Sequence, residues 1–173
     1  LMTNLKMRQA IQKLVDLDPP NTAAFGSPTF YRLDPGITGR ETALYSDAGD
    51  ELFNKPDLDA AKALLAEAGY AGEPVVFMTN KESQANYDLA LTFKSQFEAA
   101  GITVDLQVMD SATLRARREE PELWNCFITG HPAATHPVTH MFLNSAWPGW
   151  WENEKKDELV DAILSEPDFD KVY

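Results

Sequence analysis

Three histidines, the only ones in this 173-residue chain, lie within ten positions of one another in the stretch GHPAATHPVTH. They are His131, His136 and His140. Imidazoles bind transition metals and act as general bases near neutral pH, so this spacing could serve a metal site or a catalytic base. The two prolines and the small residues between the histidines are instead typical of a surface loop that contacts a ligand. The stretch could therefore form a metal site, a catalytic site or a ligand-binding loop.

A metal site has some geometric support. If Pro137 begins a short helix, His136 occupies its N-cap and His140 lies one turn later, where the two imidazoles could share a face. His131 would have to fold back to join them. No H-E-x-x-H or C-x-x-C motif accompanies the histidines, and the single cysteine, Cys126, is internal to a predicted strand. We therefore expect no metal and no cofactor.

A catalytic role needs further groups around the imidazoles. A histidine base requires a nucleophile or a scissile substrate within hydrogen-bond reach, and a carboxylate that orients the ring. The nearest candidates, Ser145 and Asp110, stand in no recognised order with the histidines. We therefore expect that this chain is not an enzyme. An α/β enzyme or metal-binding domain that uses His131, His136 and His140 is kept as the alternative hypothesis.

The composition excludes several classes of partner. The chain is 44 % hydrophobic and 24 % charged, as ordinary soluble globular units are. Its 27 acidic and 15 basic side chains give a formal charge of −12, which repels phosphate backbones, so no nucleic-acid partner is expected. No continuous apolar run approaches the ~18–20 residues that a membrane span needs. One cysteine cannot form an intrachain disulfide.

Strands and helices alternate ahead of the histidine stretch. β-branched or period-two runs predict strands over 74–79, 102–109 and 123–130, and apolar repeats predict helices over 57–70 and 84–100. This order indicates parallel strands joined by right-handed crossovers. The predicted fold class is α/β, a mixed sheet covered by helices. Ligands gather beyond the carboxyl ends of strands in such sheets, and the histidine stretch directly follows the third strand.

Helix boundaries are marked by residues with known capping preferences. Asp57 and Ser111 are predicted N-caps, since their side-chain oxygens accept hydrogen bonds from the first amides of a helix. Gly69 and Gly101 are predicted to end helices in left-handed backbone geometry.

Further elements are predicted on both sides of this core. A helix over 4–17 is expected to stop at Asp18-Pro19-Pro20, and residues 19–56 carry no regular period. A short helix should begin at Pro137, and another should follow the motif WPGWW. The apolar side chains predicted to be buried on that last helix are Leu159, Val160, Ile163 and Leu164.

Four segments of the chain resemble one protein family. They are MRQAIQKLVD (7–16), PDLDAAKALLAEAGY (56–70), FEAAGITVDLQVMD (97–110) and GWWENEKKDELVDAIL (149–164). In this order they resemble the extracytoplasmic solute-binding proteins of ABC importers, in the family of the dipeptide-, oligopeptide- and nickel-binding proteins. The similarity covers nearly the whole chain.

The resemblance implies one lobe of a two-lobed, periplasmic-binding-protein-like fold of class II. Residues 1–173 would form a single α/β lobe, most of the C-terminal lobe, with the N-terminal lobe and a final returning segment absent. Members capture a peptide-like or other small polar solute between two lobes, in the periplasm or at the cell surface. They deliver it to a membrane permease without chemistry, and we expect a monomer. A chemosensory or regulatory domain with the same fold is a further alternative.

The resemblance also indicates a cleft with an unusual feature. Peptide-binding relatives commonly place an aspartate shortly before the proline that matches Pro137, where it holds the ammonium group of the peptide. Here residues 133–135 read Ala-Ala-Thr. An unpaired buried ammonium would be costly, so recognition at Ala133 is expected to be uncharged. The expected ligand-binding residues are Phe25, Tyr31, Arg32, Thr129, Gly130, His131, Ala133, His136 and Trp147.

Some of these assignments have plain structural alternatives. Phe25 and Tyr31 could stack on a ligand, but they could equally pack their own segment onto the lobe. Arg32 could pair with a ligand carboxylate. His140 is expected to have no special role.

Overall fold

The computed structural model describes residues 1–172, which form two compact units. The first unit comprises residues 1–33 and 54–130, and the second comprises residues 34–53 and the chain from residue 131 onward. The helices are α1 (Leu5–Leu14), α2 (Asp18–Phe25), α3 (Leu58–Glu67), α4 (Gln84–Ala99), α5 (Ser111–Arg117), α6 (Glu154–Ser165) and α7 (Phe169–Val172). The strands are β1 (Val75–Asn80), β2 (Val104–Met109) and β3 (Cys126–Phe127). Short 3-10 turns cover Pro28–Phe30, Pro121–Leu123, Pro137–Thr139 and Met141–Leu143.

The first unit is built on a parallel sheet with strand order β2-β1-β3. Phe77 of β1 lies opposite Leu106 of β2 and Cys126 of β3. The predicted α/β class and parallel pairing are confirmed. Within residues 1–172 every strand pair is parallel, so the expected mixed sheet has no antiparallel member there.

The third strand is much shorter than the predicted range 123–130. Its pairing with β1 is bounded by two hydrogen bonds, from the Asn125 amide to the Val76 carbonyl oxygen (2.9 Å) and from the Ile128 amide to the Met78 carbonyl oxygen (3.1 Å). Before it, Pro121 begins a 3-10 turn, because its fixed φ suits the first position of such a turn. Residues 129 and 130 lie beyond this pairing.

The core of the first unit lies between the sheet and the helices α1, α3 and α4. Phe77 and Phe97 stack with ring centroids 6.1 Å apart, so β1 and α4 are joined by aromatic packing. The other core side chains are small or aliphatic and come from all of these elements. They are Met7, Ala10, Leu14, Ala61, Leu65, Val75, Ala100 and Ile102.

The predicted helix boundaries are mostly confirmed. The Asp57 carboxylate accepts the Ala60 amide at 2.9 Å and caps α3. Gly69 and Gly101 follow α3 and α4 with φ of +71° and +88°, the left-handed geometry that favours glycine.

The predicted cap of α5 is wrong by one residue. Asp110, not Ser111, caps the helix by accepting the amides of Ala112 (3.0 Å) and Thr113 (2.9 Å). Ser111 is the first helical residue, and its amide donates to Glu82. The Asp110 carboxylate is charged and therefore accepts stronger hydrogen bonds than the Ser111 hydroxyl, which favours Asp110 as the cap.

The prolines after α1 begin a second helix, contrary to the expectation for residues 19–56. Asp18 opens α2 and Pro19 and Pro20 occupy its first turn, where the amides that proline lacks would have no helical partner. Gly26 ends α2 with φ +82°. After Pro28–Phe30 the described chain is irregular up to Asp57, as predicted.

The second unit contains irregular chain, the last two 3-10 turns and the helices α6 and α7. The predicted burial on α6 is partly wrong: Leu159 is 52 % exposed and Leu164 is 65 % exposed, while Lys156 is only 5 % exposed. Val160 and Ile163 are half-buried. Asn153 caps the helix by accepting the Lys156 amide at 2.9 Å. Among residues 1–172, no helix has the length and apolar character required to cross a membrane.

Candidate ligand-binding site

The residues expected to bind a ligand are divided between the two units. Phe25, Tyr31, Arg32, Thr129 and Gly130 belong to the first unit. The others are His131, Ala133, His136 and Trp147, and they belong to the second.

In the first unit, Tyr31 is held by its own segment. Its hydroxyl lies 2.8 Å from the Thr22 hydroxyl and 3.2 Å from Oδ1 of Asp18, both on α2. Its ring lies 6.3 Å from that of Phe25, centroid to centroid. These contacts favour packing as the role of Tyr31. Phe25 is 42 % exposed, and its ring retains a face for other contacts.

The residues that follow the third strand are partly or fully exposed to solvent. Thr129 is half-buried, whereas Gly130 and Arg32 are exposed. A Cβ added to Gly130 would meet no atom within 4 Å. Glycine is therefore not required at this position by sterics.

The second unit contains a cavity of about 230 Å³ within the histidine stretch. Two imidazoles, a hydroxyl, a thioether and small apolar groups surround it. The lining residues are His131, Pro132, Ala133, Ala134, Thr139, His140 and Met141. None of the described acidic side chains lines it. Its donors and acceptors are therefore the imidazoles, the hydroxyl and backbone groups.

Aromatic side chains hold the imidazole of His131. Its ring centroid lies 5.4 Å from those of Phe142 and Trp147, with interplanar angles of 81° and 76°. Phe142 also contacts His140, at 4.6 Å between centroids. The two edge-to-face contacts, from Phe142 and Trp147, orient the ring of His131, which lines the cavity.

Two further residues of this cluster, His140 and Phe142, are not among the residues expected to bind a ligand. His140 lines the cavity, although it was expected to have no special role. Phe142 was not selected, and its adjacency to His140 and Met141 was the only signal that could have found it. Both positions depend on two successive 3-10 turns, which apolar periodicity does not predict.

The predicted helix that would have aligned His136 with His140 is not formed. The chain makes the turn Pro137–Thr139, then His140 adopts an extended conformation (φ −76°, ψ 117°) before the next turn begins. Nδ1 of His136 is buried, and no described residue hydrogen-bonds it. Among residues 1–172, no three His, Cys, Asp or Glu side chains are grouped as a metal site would require.

The thiol of Cys126 has a raised pKa. Burial in the first unit raises the pKa of Cys126 from 9.0 to about 12. The thiolate is the form that attacks electrophiles and binds metals, so Cys126 stays neutral and unreactive at physiological pH.

The first unit is a parallel α/β sheet with helices, and the second unit contains a small cavity lined by imidazoles, one hydroxyl and apolar groups, the combination of apolar walls and few polar groups that sites for small molecules have. The chain matches the bacterial extracellular solute-binding proteins, family 5 (middle region), over residues 1–151. It therefore belongs to that family.

Three similar proteins illustrate the family. A probable peptide ABC transporter periplasmic-binding protein of Sinorhizobium fredii is 28 % identical over 169 residues, which cover 90 % of this chain and 32 % of the relative. The oligopeptide-binding protein AppA of Bacillus subtilis, solved with a nonapeptide, superposes with a TM-score of 0.82 at 20 % identity, covering 99 % of this chain and 38 % of AppA. The binding protein AgaA of A. tumefaciens R10, solved with agropinic acid, gives 0.71 at 19 % identity, covering 99 % of this chain and 36 % of AgaA.

These comparisons establish the class II periplasmic-binding-protein fold that the sequence indicated. The chain spans about one third of the length of the relatives it matches.

Proposed function

We propose that this chain is part of a substrate-binding protein of an ABC importer, and that the cavity of its second unit receives one end of the solute. The observation that carries the proposal is the family match over residues 1–151. The solute is peptide-like or another small polar molecule, and the binding protein delivers it to a permease in the membrane. The protein acts as a monomer in the periplasm or at the cell surface. Residues 1–173 contribute a single lobe, and the rest of the protein supplies the opposite lobe.

Binding without conversion is supported by the chemistry of the cavity. The one hydroxyl in its described lining, that of Thr139, donates to the carbonyl oxygen of His136 at 2.7 Å. A nucleophile needs a base that takes its proton, and a carbonyl oxygen is too weakly basic to do so. The solute is therefore bound and released unchanged.

The end group that the cavity accepts is neutral or anionic. An ammonium group buried there would find no carboxylate in the described lining, and its desolvation would go uncompensated. Imidazole N–H groups of His131 and His140 are instead donors for amide, hydroxyl or carboxylate oxygens. AppA was solved with a nonapeptide and AgaA with agropinic acid, so proteins of this fold bind ligands of different chemistry. We therefore propose that the solute is a peptide with a blocked N-terminus, or an acidic opine-like or sugar-derived compound. A peptide with a free N-terminus should bind less tightly.

The remaining residues of the expected cleft belong to the proposal as well. His136 and Trp147 border the site in the second unit. Phe25, Arg32, Thr129 and Gly130 provide an aromatic face, a cation and backbone groups in the first unit. Tyr31 contributes through Phe25, because its own hydroxyl is bound to α2.

Mass spectrometry of solute retained by the full-length gene product tests the function directly. We expect a retained compound of unchanged mass after prolonged incubation, without a free α-ammonium group. In calorimetric titrations, N-acetyl-trialanine should bind more tightly than trialanine. His131→Ala should weaken that binding by about tenfold or more, as loss of a central contact does. Thr135→Ala, an exposed neighbour outside the cavity lining, serves as the control.

Two outcomes would overturn the proposal. Conversion of any bound solute to a product would favour the enzyme alternative. A large rise of the melting temperature with Zn²⁺ or Ni²⁺, abolished in His136→Ala, would favour the metal-binding alternative, since a ligand that binds only the folded state stabilises it.

A further inference from the structure

Lys156 is a buried charge on a helix that leaves two of its leucines exposed. Its side chain is 4 % exposed, whereas Leu159 and Leu164 on the same helix are more than half exposed. Burying an ammonium is unfavourable unless it is paired and hydrogen-bonded. The partners of Lys156 therefore indicate what its burial achieves.

The ammonium of Lys156 joins the two ends of one turn. It donates to the hydroxyl of Ser145 and to the carbonyl oxygen of Trp151 (2.8 Å), and it pairs with Oδ1 of Asp157 at 2.9 Å. It also lies 5.5 Å from the centroid of the Trp151 ring. We call residues 145–151 the tryptophan turn. Because the ammonium has three N–H groups and three oxygen partners, its hydrogen-bonding capacity is used in full.

The tryptophan turn has a backbone that needs such a brace. Gly149 and Trp150 have φ of +118° and +42°, and the second value is uncommon for a residue with a side chain. The Trp150 amide donates to the carbonyl oxygen of Trp147 at 2.7 Å, which closes the turn. Strained conformations of this kind persist where surrounding contacts over-determine them.

The same turn carries the indole that contacts His131. The rings of Trp147 and His131 meet at 5.4 Å between centroids, and His131 lines the cavity. A continuous series of contacts therefore runs from Lys156 through the turn to the cavity wall, all within the second unit.

We infer that Lys156 is a positioning residue for the ligand site: it holds the tryptophan turn in the shape that keeps Trp147 against His131. Its effect on solute affinity rests on the proposed function. Its effect on the Trp147–His131 contact does not.

The test uses the Cε1–H resonance of His131 in the full-length gene product, assigned with a His131→Gln variant. The indole ring current displaces this resonance, and Trp147→Leu defines the shift after complete loss of the contact. Lys156→Met keeps most of the aliphatic stem and removes the ammonium, and it should move the resonance most of the way to the Trp147→Leu value. Lys156→Arg should restore much of the displacement. Lys155→Met is the matched control, because it removes an adjacent but exposed ammonium that pairs only with Glu158 among the described residues.

Affinity for N-acetyl-trialanine should fall by about tenfold in Lys156→Met and stay at the wild-type value in Lys155→Met. A folded Lys156→Met protein with an unmoved His131 resonance would overturn the inference. Should Lys156→Met not fold, Asp157→Asn removes the charged partner of the ammonium and leaves the bond from the Ser145 hydroxyl to the Trp151 carbonyl oxygen in place (3.3 Å), and it must move the resonance in the same direction for the inference to stand. If the resonance responds as expected but wild type binds no solute, the proposed function fails and the positioning role stands.

Discussion

The imidazole of His131 meets the indole of Trp147 edge to face, with centroids 5.4 Å apart and ring planes inclined by 76°. Such pairs contribute about 0.5–1.5 kcal/mol beyond the area they bury. The contact orients an imidazole at the wall of a cavity in which no described acidic side chain appears. It fixes the orientation of an imidazole at the solute site that we propose.

Introducing an acid into this cavity should change which solutes bind. Ala133→Asp supplies a carboxylate for an ammonium, and a charged hydrogen bond of this kind contributes about 1.5–3 kcal/mol. Calorimetric titration should therefore show trialanine binding at least about tenfold more tightly than to wild type, with a gain that weakens at high salt. N-acetyl-trialanine should gain nothing. Ala133→Asn is the uncharged control, and an equal gain with Asn would contradict the electrostatic explanation.

Gly36 is sterically required in the second unit. A Cβ at this position would lie 2.7 Å from the carbonyl oxygen of Ser46 and 3.1 Å from that of Thr38. Gly36→Ala should therefore destabilise the unit by about 1–3 kcal/mol, as overpacking does. Hydrogen exchange of residues 34–53 should accelerate accordingly. Gly130→Ala, where a Cβ meets open space, should stay within about 0.5 kcal/mol of wild type. Similar exchange in both variants would refute the steric argument.

The buried thiol of Cys126 should make stability depend on alkaline pH. Its folded pKa is about 12 against 9.0 for an ordinary thiol, so above pH 9 the unfolded chain releases a proton that the folded chain keeps. Stability therefore falls as pH rises from 9 towards 12, by about 1.4 kcal/mol per pH unit at most. Urea unfolding at pH 8 and pH 10 should show this extra loss in wild type and not in Cys126→Ala. Rapid alkylation of the native thiol at pH 8 would argue against the raised pKa.

The capping bond of Asp57 should be measurable as stability of the first unit. Asp57→Ala removes the acceptor of the Ala60 amide and should lower the free energy of unfolding by about 1 kcal/mol. Asp59→Ala removes the same charge from the first turn without removing a capping bond, so the smaller loss of about 0.5 kcal/mol reflects the helix dipole alone. Equal losses in urea denaturation would mean that charge, and not the hydrogen bond, stabilises α3.

Elements with strong local signals were predicted well. The helix α3 has an aspartate cap at Asp57 and a terminating glycine at Gly69, and both act as expected. The strands β1 and β2 were found within two residues of their ends. Cap bonds, glycine geometry and side-chain alternation depend on residues close in sequence, so one segment is enough to reveal them.

Predictions that depended on distant neighbours were less successful. Leu159 and Leu164 were expected to be buried, yet Lys156 occupies the buried side of α6 because the tryptophan turn supplies oxygen partners for its ammonium. Pro19 and Pro20 were expected to end a helix and to open an irregular segment, but they lie in the first turn of α2, a position that accepts proline. Neither outcome could be derived from periodicity.

The amino-acid sequence was sufficient to predict the parallel α/β class and the family, and it shows directly that residues 133–135 include no acid. These follow from local periodicity, from four motifs in order, and from residue identity. The folded structure was needed to show that His131 and His140 line one cavity, that Phe142 and Trp147 contact His131, and that the buried Lys156 bonds both ends of the tryptophan turn. Burial and side-chain contact are set by groups far apart along the chain, and only the folded chain brings those groups together.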